Sequence, residues 1–260
     1  MISYPQINPE IVRVGPLAVR WYGMMYLAGF AASYLLVKYQ IKKKGQALEK
    51  DFVESLYSYL ILGLLLGARL GYVVFYNLAY YVQHPLEVFA VWHGGMSFHG
   101  GLIGSIAAGI LFCRSARVDF WLLADFVIAT APIGLGLGRL GNFINGELYG
   151  RPSDVPWAMV FPTGGPLPRH PSQLYELFLE GVVLFTVLWM LRSRKMGPGT
   201  LTAVFIMLYG LFRFVVEFFR EPDPQLGYII GGIFTMGQAL SASMIVAGAV
   251  IYYLRKRATA

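Results

Sequence analysis

Charge is scarce in this chain. Lysine, arginine, aspartate and glutamate make up 13% of its 260 residues, against 57% hydrophobic ones. Soluble domains carry about a quarter charged residues, so with a mean hydropathy of +0.57 an ordinary water-facing surface is excluded. Cysteine is nearly absent: Cys113 stands alone, and no internal disulfide can form. No Cys, His and carboxylate set has the spacing of a metal site, and His93 and His99 lack the i,i+4 interval of a helical ligand pair. The first residues lack a basic stretch followed by an apolar core and a small-residue cleavage site, so no removable signal peptide is expected. Low-complexity linkers and a second, soluble domain are missing too.

What the chain does have is apolar runs close to the ~20 residues that cross a bilayer. Hydropathy and breakers predict seven helices, at 22–41, 55–76, 96–113, 120–138, 173–191, 200–219 and 229–254. The basic residues orient them. Lys42, Lys43, Lys44 and Lys50 follow the first span, and Arg114 and Arg117 the third. Arg192, Arg194 and Lys195 follow the fifth, and Arg255, Lys256 and Arg257 the seventh. These are alternate ends, which places the N-terminus outside and the C-terminus in the cytoplasm. The expectation is an all-α integral membrane protein, a seven-helix bundle forming one polytopic domain over 1–260. A short N-terminal arm and the catalytic loops would lie at its outer face. Topology accounts for the formal charge of +7, and nucleic acid is not an expected partner.

Topology leaves the arginines unexplained. Every lysine falls on the inner side, whereas Arg13, Arg20, Arg69, Arg139, Arg151, Arg169, Arg213 and Arg220 fall on the outer side or in its half of the membrane. The histidines, His84, His93, His99 and His170, join them there. The guanidinium fork suits bidentate binding of phosphate or carboxylate, so the chemistry is expected at the outer face. Glycines spaced every fourth residue, Gly63, Gly67 and Gly71, then Gly134 and Gly138, read as close helix packing.

Three polar stretches interrupt the apolar background. "WHGGMSFHGG" ends with His99, Gly100 and Gly101 at the outer start of the third span. A lone interfacial histidine is ordinarily a loop-bonded structural residue; flanking glycines also admit a close backbone or substrate. "GRLGNFINGELYG" follows the fourth span and gathers Arg139, Asn142, Asn145 and Glu147. Turn formation and an Arg139–Glu147 pair would explain a loop, but not so many donors at the end of an apolar helix. "YGLFRFVVEFFREPD" sets Arg213 and Glu217 on one helix face, with Arg220 one turn beyond. Glu176 and Glu180 form another i,i+4 pair in the fifth span, and "RHPSQLYE" puts Arg169 and His170 at its mouth. Tyr22, in "RWYGMMY", belongs to the interfacial aromatic belt or to the site.

Together with "MSFHGG" on seven spans, these stretches resemble the bacterial prolipoprotein diacylglyceryl transferases over essentially the whole chain. The resemblance implies an inner-membrane transferase with its active site toward the periplasmic face. It would move a diacylglyceryl group from phosphatidylglycerol to the lipobox cysteine thiol of a prolipoprotein. The products would be a thioether and glycerol phosphate, as the first step of lipoprotein maturation, with no metal or organic cofactor. Its partners would be phosphatidylglycerol, the lipobox peptide and membrane lipids.

The implied chemistry gives the polar stretches a purpose. As the thiolate displaces phosphate, charge accumulates on the leaving group, and preorganised donors there stabilise the transition state more than the ground state. His99, Arg139 and Arg213 are the expected catalytic residues, His99 as base for a thiol of ordinary pKa about 8.5. Arginines lowering the thiol pKa directly are the alternative. Tyr22, Gly100, Arg139, Asn142, Asn145, Glu147, Gly150, His170, Tyr209, Glu217 and Arg220 are the expected substrate-binding residues, the asparagines on the glycerol head and Glu147 or Glu217 orienting an arginine. A small-anion transporter is the main rival reading. It sits poorly with polar residues gathered on one side and with the lack of an inverted repeat. A structural scaffold leaves the arginines without a purpose.

Overall fold

The computed structural model describes residues 2–15, 17–43, 51–221, 228–230 and 234–257. Lys44 and Lys50 of the first basic cluster, and Asp223 at the end of the third polar stretch, lie outside the described residues. The chain falls into two compact units, Met1–Gln40 with Ala124–Ala260, and Ile41–Leu123.

The larger unit opens with an antiparallel hairpin, β1 (Glu10–Val14) and β2 (Leu17–Arg20), in which Val12 pairs with Val19. It runs straight into α1 (Trp21–Lys43). The fourth predicted span is not one helix. α5 (Phe120–Ile128) and α6 (Ala131–Asn145) meet at a 41° bend. Pro132 lies in the first turn of α6, where its missing N–H costs nothing. At the bend the Thr130 hydroxyl donates to the Val127 carbonyl at 2.7 Å and meets Ser33 Oγ of α1 at 2.6 Å. Asp125, an acid in mid-span, caps another helix. Its oxygens accept from the Gly199 and Thr202 amides, both at 2.8 Å, at the start of α9 (Thr200–Val216).

The fifth span is a continuous helix with a changed winding in its middle. α7 (Ser172–Glu176) passes into a π-helical stretch, Leu177–Val183, and then α8 (Leu184–Leu191). Gly136 and Gly181 bring α6 and the π stretch together: a Cβ on Gly136 would lie 3.0 Å from Gly181 Cα. A short β3 (Tyr228–Ile230) and β4 (Phe234–Thr235) precede α10 (Met236–Arg257). α9 and α10 pack through small residues; a Cβ on Gly210 would stand 2.9 Å from the Ser241 carbonyl. The sixth and seventh predicted spans are thus displaced: α9 stops at Val216, and α10 starts at Met236. The unit has two distinct ends. At one, Arg255 reaches the Pro198 carbonyl; at the other, the last turns of α6 and α9 meet the first turns of α7 and α10.

The smaller unit is built on α2 (Phe52–Tyr76) and α4 (Phe98–Ala116), joined by α3 (Leu78–Gln83) and two 3-10 turns, Pro85–Phe89 and Val91–His93. Here the glycine pattern meets its expectation. A Cβ on Gly67 would come within 2.4 Å of the Gly100 carbonyl and 2.7 Å of Gly104 Cα. Gly63 and Gly71 continue the same seam against Gly104 and Gly100. The second predicted pair divides: Gly134 Cα lies 3.0 Å from where a Cβ on Gly29 of α1 would stand, whereas a Cβ on Gly138 would meet nothing within 4 Å.

Four helices, Phe52–Tyr76, Phe98–Ala116, Ser172–Leu191 and Met236–Arg257, are long and apolar enough to cross a membrane. The bent α5–α6 pair makes a fifth, and α9 is apolar but shorter. The protein is therefore a mostly helical, multi-pass membrane protein.

Candidate active site

Where the helix ends of the larger unit meet, charges from three helices converge. Arg139 is not in a loop after its span; it lies inside α6, two turns before the helix ends. Its Nε stands 2.5 Å from Glu176 Oε2 and 3.9 Å from Glu180 Oε2. Tyr209 of α9 makes a further hydrogen bond to this guanidinium. Arg213, also on α9, reaches Glu176 at 3.5 Å and Glu217 at 2.9 Å, and Arg220 approaches the same Glu217 oxygen at 3.7 Å. The three glutamates are buried: Glu176 and Glu180 are 1% and 0% exposed, and Glu217 3%.

The charges match in number, three guanidinium groups against three carboxylates, but the hydrogen bonding is incomplete. Glu176 Oε2, both Glu180 oxygens, Arg213 Nη1 and Glu217 Oε2 are buried without a hydrogen bond of proper geometry. Buried ionised groups normally saturate their bonds. Among these atoms Arg213 Nη1 is the donor, and it can turn to an incoming anion.

Glu217 has a second anchor. Thr235 Oγ1 donates to Glu217 Oε1 at 2.9 Å, and Gly237, in the first turn of α10, lies directly against the carboxylate. Arg151 secures the backbone of the same corner, donating to the Arg220 and Glu217 carbonyls.

The Gly138–Gly150 stretch is half helix and half turn. α6 ends at Asn145, and Gly146 takes a left-handed φ of +65° that lets its N–H close onto the Asn142 and Phe143 carbonyls. Arg139 and Glu147 do not pair. Asn142 and Asn145 each donate a side-chain N–H to Glu147 Oε1 at 3.0 Å. Leu148 follows at φ +57°, a strained setting for a branched side chain. Gln173 and Ser172 at the start of α7 hold it, donating to the Glu147 and Leu148 carbonyls. Gly150 is wedged between two strands of backbone, where a Cβ would lie 2.4 Å from the Phe219 carbonyl and 2.7 Å from His170 Cβ. Tyr4 of the N-terminal arm closes the far side, donating to the Phe143 carbonyl at 2.6 Å. Tyr22 packs on Gly141, with its phenol in electrostatic reach of Glu147 and Arg139.

The helices that carry the charges also border an apolar groove of about 440 Å³, lined by Trp157, His170, Leu174, Phe178, Val215 and Phe219 among others and by none of the charged residues themselves. Trp157 donates to Tyr175 Oη at 2.6 Å, and Tyr175 Oη lies 3.0 Å from His170 Nδ1. Burial of His170 holds its pKa below the usual histidine value.

The structure thus brings together Tyr22, Arg139, Asn142, Asn145, Glu147, Gly150, His170, Tyr209, Arg213, Glu217 and Arg220 in one unit. His99 and Gly100 belong to the other. His99 is exposed in the first turn of α4, capped by Ser97, with its ring against Phe98. Gly100 belongs to the α2–α4 seam.

The other arginines that the sequence assigned to the outer side are held by the protein's own acceptors. Arg69 gives its donors to five carbonyls, of Val88, Gly94, Gly95, Glu87 and Ala90, at 2.6–3.1 Å. Arg13 and Arg20 pair with Glu10 on the hairpin, and Arg169 with Glu221. Sequence reasoning missed Glu176 and Glu180 as the partners of the membrane-depth arginines. The signal was there: two carboxylates one turn apart in a neighbouring apolar span need cations. It also missed Thr235, although T-x-x-Q ahead of an apolar run is a capping box.

Fold and site define a multi-pass membrane protein organised round an incompletely hydrogen-bonded arginine–glutamate centre, with an apolar groove on the same helices. Residues 9–254 match the family model of prolipoprotein diacylglyceryl transferase. A phosphatidylglycerol–prolipoprotein diacylglyceryl transferase of Desulfotalea psychrophila is 56% identical over 269 residues, covering 99% of this chain and 98% of that protein. Proteins of the same name from Bordetella avium and Geobacter sulfurreducens are 55% and 54% identical, with 98% or more of this chain and 98% of each relative covered. The chain belongs to the prolipoprotein diacylglyceryl transferase family, and it is a transferase.

Proposed function

We propose that this chain transfers the diacylglyceryl group of phosphatidylglycerol to the lipobox cysteine thiol of a prolipoprotein. The thiol sulfur forms a bond to the terminal glyceryl carbon as that carbon's bond to the phosphate oxygen breaks. The electron pair leaves with the phosphate, and glycerol phosphate departs. The observation that carries this reading is the convergence of Arg139, Arg213 and Arg220 on buried glutamates, with Arg213 Nη1 left without a hydrogen bond. A phosphodiester carries one negative charge and the departing monoester gains another, so guanidinium groups fixed there act most strongly in the transition state. The apolar groove on the same helices suits an acyl chain, which an anion transporter has no use for.

Arg139 and Arg213 bind the phosphate in this reading, and Arg220 supports them through Glu217. The Asn142–Asn145–Glu147 triad and Tyr22 contact the glycerol head, with Gly150, His170 and Tyr209 shaping the rest; the roles of Gly100 in substrate binding and His99 in catalysis rest on the family resemblance. His99 takes the thiol proton. The chain forms one polytopic domain of seven spans: α1, α2, α4, α5–α6, α7–α8, α9 and α10. Basic residues at the ends of α1, α4 and α10, and after α8, support a cytoplasmic location for those ends. The N-terminal arm and the site then face the periplasm across a bacterial inner membrane.

The deciding experiment incubates the purified protein in phosphatidylglycerol vesicles with a lipobox peptide. Thioether on the cysteine and released glycerol phosphate are expected. A protein that makes no thioether but carries phosphate across the vesicle wall is a transporter. His99→Ala is expected to lose about 10²–10⁴-fold in rate; near-normal turnover of His99→Gln at neutral pH hands thiol activation to the arginines. For topology, a cysteine at position 195 should be labelled only from the cytoplasmic side.

A further inference from the structure

We propose that Thr235 and Gly237, at the start of α10, are positioning residues: they set the direction of the Glu217 carboxylate and, through it, the placement of Arg213. The inference rests on the function proposed above. It begins with a capping box. Gln238 N–H donates to Thr235 Oγ1 at 3.2 Å, and Thr235 N–H donates back to Gln238 Oε1 at 3.0 Å. Because Thr235 Oγ1 accepts from the helix, its own proton is free to point away, and it goes to Glu217 Oε1 at 2.9 Å. The cap thus transmits the geometry of α10 to a carboxylate on another helix.

Gly237 supplies the shape. A Cβ there would lie 2.6 Å from both Cδ and Oε1 of Glu217, and 2.9 Å from Oε2. No side chain fits unless the carboxylate moves. Thr235, Gln238 and Glu217 are each at most 3% exposed, so water does not compete for these bonds. The other Glu217 oxygen faces Arg213 at 2.9 Å and Arg220 at 3.7 Å. One carboxylate therefore has its Oε1 fixed by α10 while its Oε2 holds the arginines. Shifting the first oxygen shifts the second, and with it the fork that meets the developing phosphate charge.

A role confined to capping α10 makes a different forecast. Losing a cap lowers stability but leaves the turnover of each folded molecule alone. Losing direction at Arg213 lowers kcat and leaves the KM for phosphatidylglycerol nearly unchanged, because the ground-state headgroup carries less charge than the transition state.

The test measures thioether formation in phosphatidylglycerol vesicles, with Tm alongside, for the full-length protein and five variants, Glu217→Gln alone among them. Thr235→Val removes the donor at constant volume and should lower kcat roughly 10- to 100-fold, the loss corresponding to one hydrogen bond to a charged group. Thr235→Ser restores the hydroxyl and should recover most of that loss. Gly237→Ala should lower kcat at least as far, because the added Cβ displaces the Glu217 carboxylate while the Thr235 cap stays in place. Thr235→Val added to Glu217→Gln should cost nothing further, because the group it directs is already altered.

Multiplying losses in that double variant, or Thr235→Val with reduced Tm and wild-type kcat, would overturn the inference. Should Thr235→Val fail to insert, Gly237→Ala decides alone: wild-type kcat there sinks the proposal. Wild-type protein that makes no thioether overturns the proposed function and this inference with it. An active wild type with silent variants overturns only the inference.

Discussion

Arg69 and Arg139 both sit in glycine-rich helices, one two residues after Gly67 and the other next to Gly138, yet they end in opposite surroundings. Arg69, 5% exposed, meets only neutral acceptors, and each of its five N–H groups has a carbonyl. Those carbonyls belong to the irregular segment between α3 and α4, which has no ladder of its own to satisfy them. Arg139 meets charged acceptors instead, and its partner oxygens on Glu176 and Glu180 keep unmet hydrogen-bonding capacity. A saturated fork is finished as chemistry: it can only hold backbone. A fork balanced by carboxylates whose own bonds are not all met can exchange a partner for an anion.

The comparison breaks most readily at Arg139. Arg139→Lys keeps the charge and loses the fork, so thioether formation should fall roughly 10²–10³-fold while the protein inserts and melts normally. Turnover near wild type would mean that only diffuse charge matters there. Arg69→Lys should reverse the pattern. A lysine has three donors for five carbonyls, so at least two go unmet, at about 1–3 kcal/mol each. Limited proteolysis should then cut residues 84–95 sooner, while turnover per folded molecule falls far less than for Arg139→Lys. Equal loss of activity in both variants would erase the distinction drawn here.

The smallest effect lies at the groove. His170 titrates below its ordinary value of about 6.5 because burial disfavours the imidazolium. Between the two values the unfolded chain binds more protons, so stability is complete above about 6.5 and falls as pH drops through the folded value. Tm measured from pH 8 down to 5 should decline less steeply for His170→Gln. Parallel curves would show that the ring is not protected from protonation.

Much of this architecture is legible in the residues. Every predicted span overlaps a helix, because hydropathy averages over several turns and tolerates errors at the ends. The errors fall where a local rule met a tertiary one. The fourth span looked continuous because a proline in a helical first turn leaves no mark in hydropathy; the bend at Thr130 depends on a bond to Ser33 of another helix. Asp125 is an acid in the middle of that span, and its partners lie far along the chain at the start of α9. The Gly63–Gly67–Gly71 repeat lies along a seam of close contacts and Gly134 meets Gly29 of α1, while Gly138 shares the spacing without such a contact. Spacing says that an approach is permitted, not that it occurs.

By itself, the sequence determined that this protein lives in lipid, which helix ends carry the lysines, and which arginines have to find partners at membrane depth. Those are properties of composition and period, carried by each segment alone. Only the tertiary structure decided that Arg139 answers to Glu176 and Glu180, that Arg69 holds carbonyls, and that Glu217 leans on Thr235. Each of those pairings depends on the rotation and height of one helix against another. Such placement is fixed by glycine contacts, a π-helical stretch and caps acting together, and no single segment encodes it.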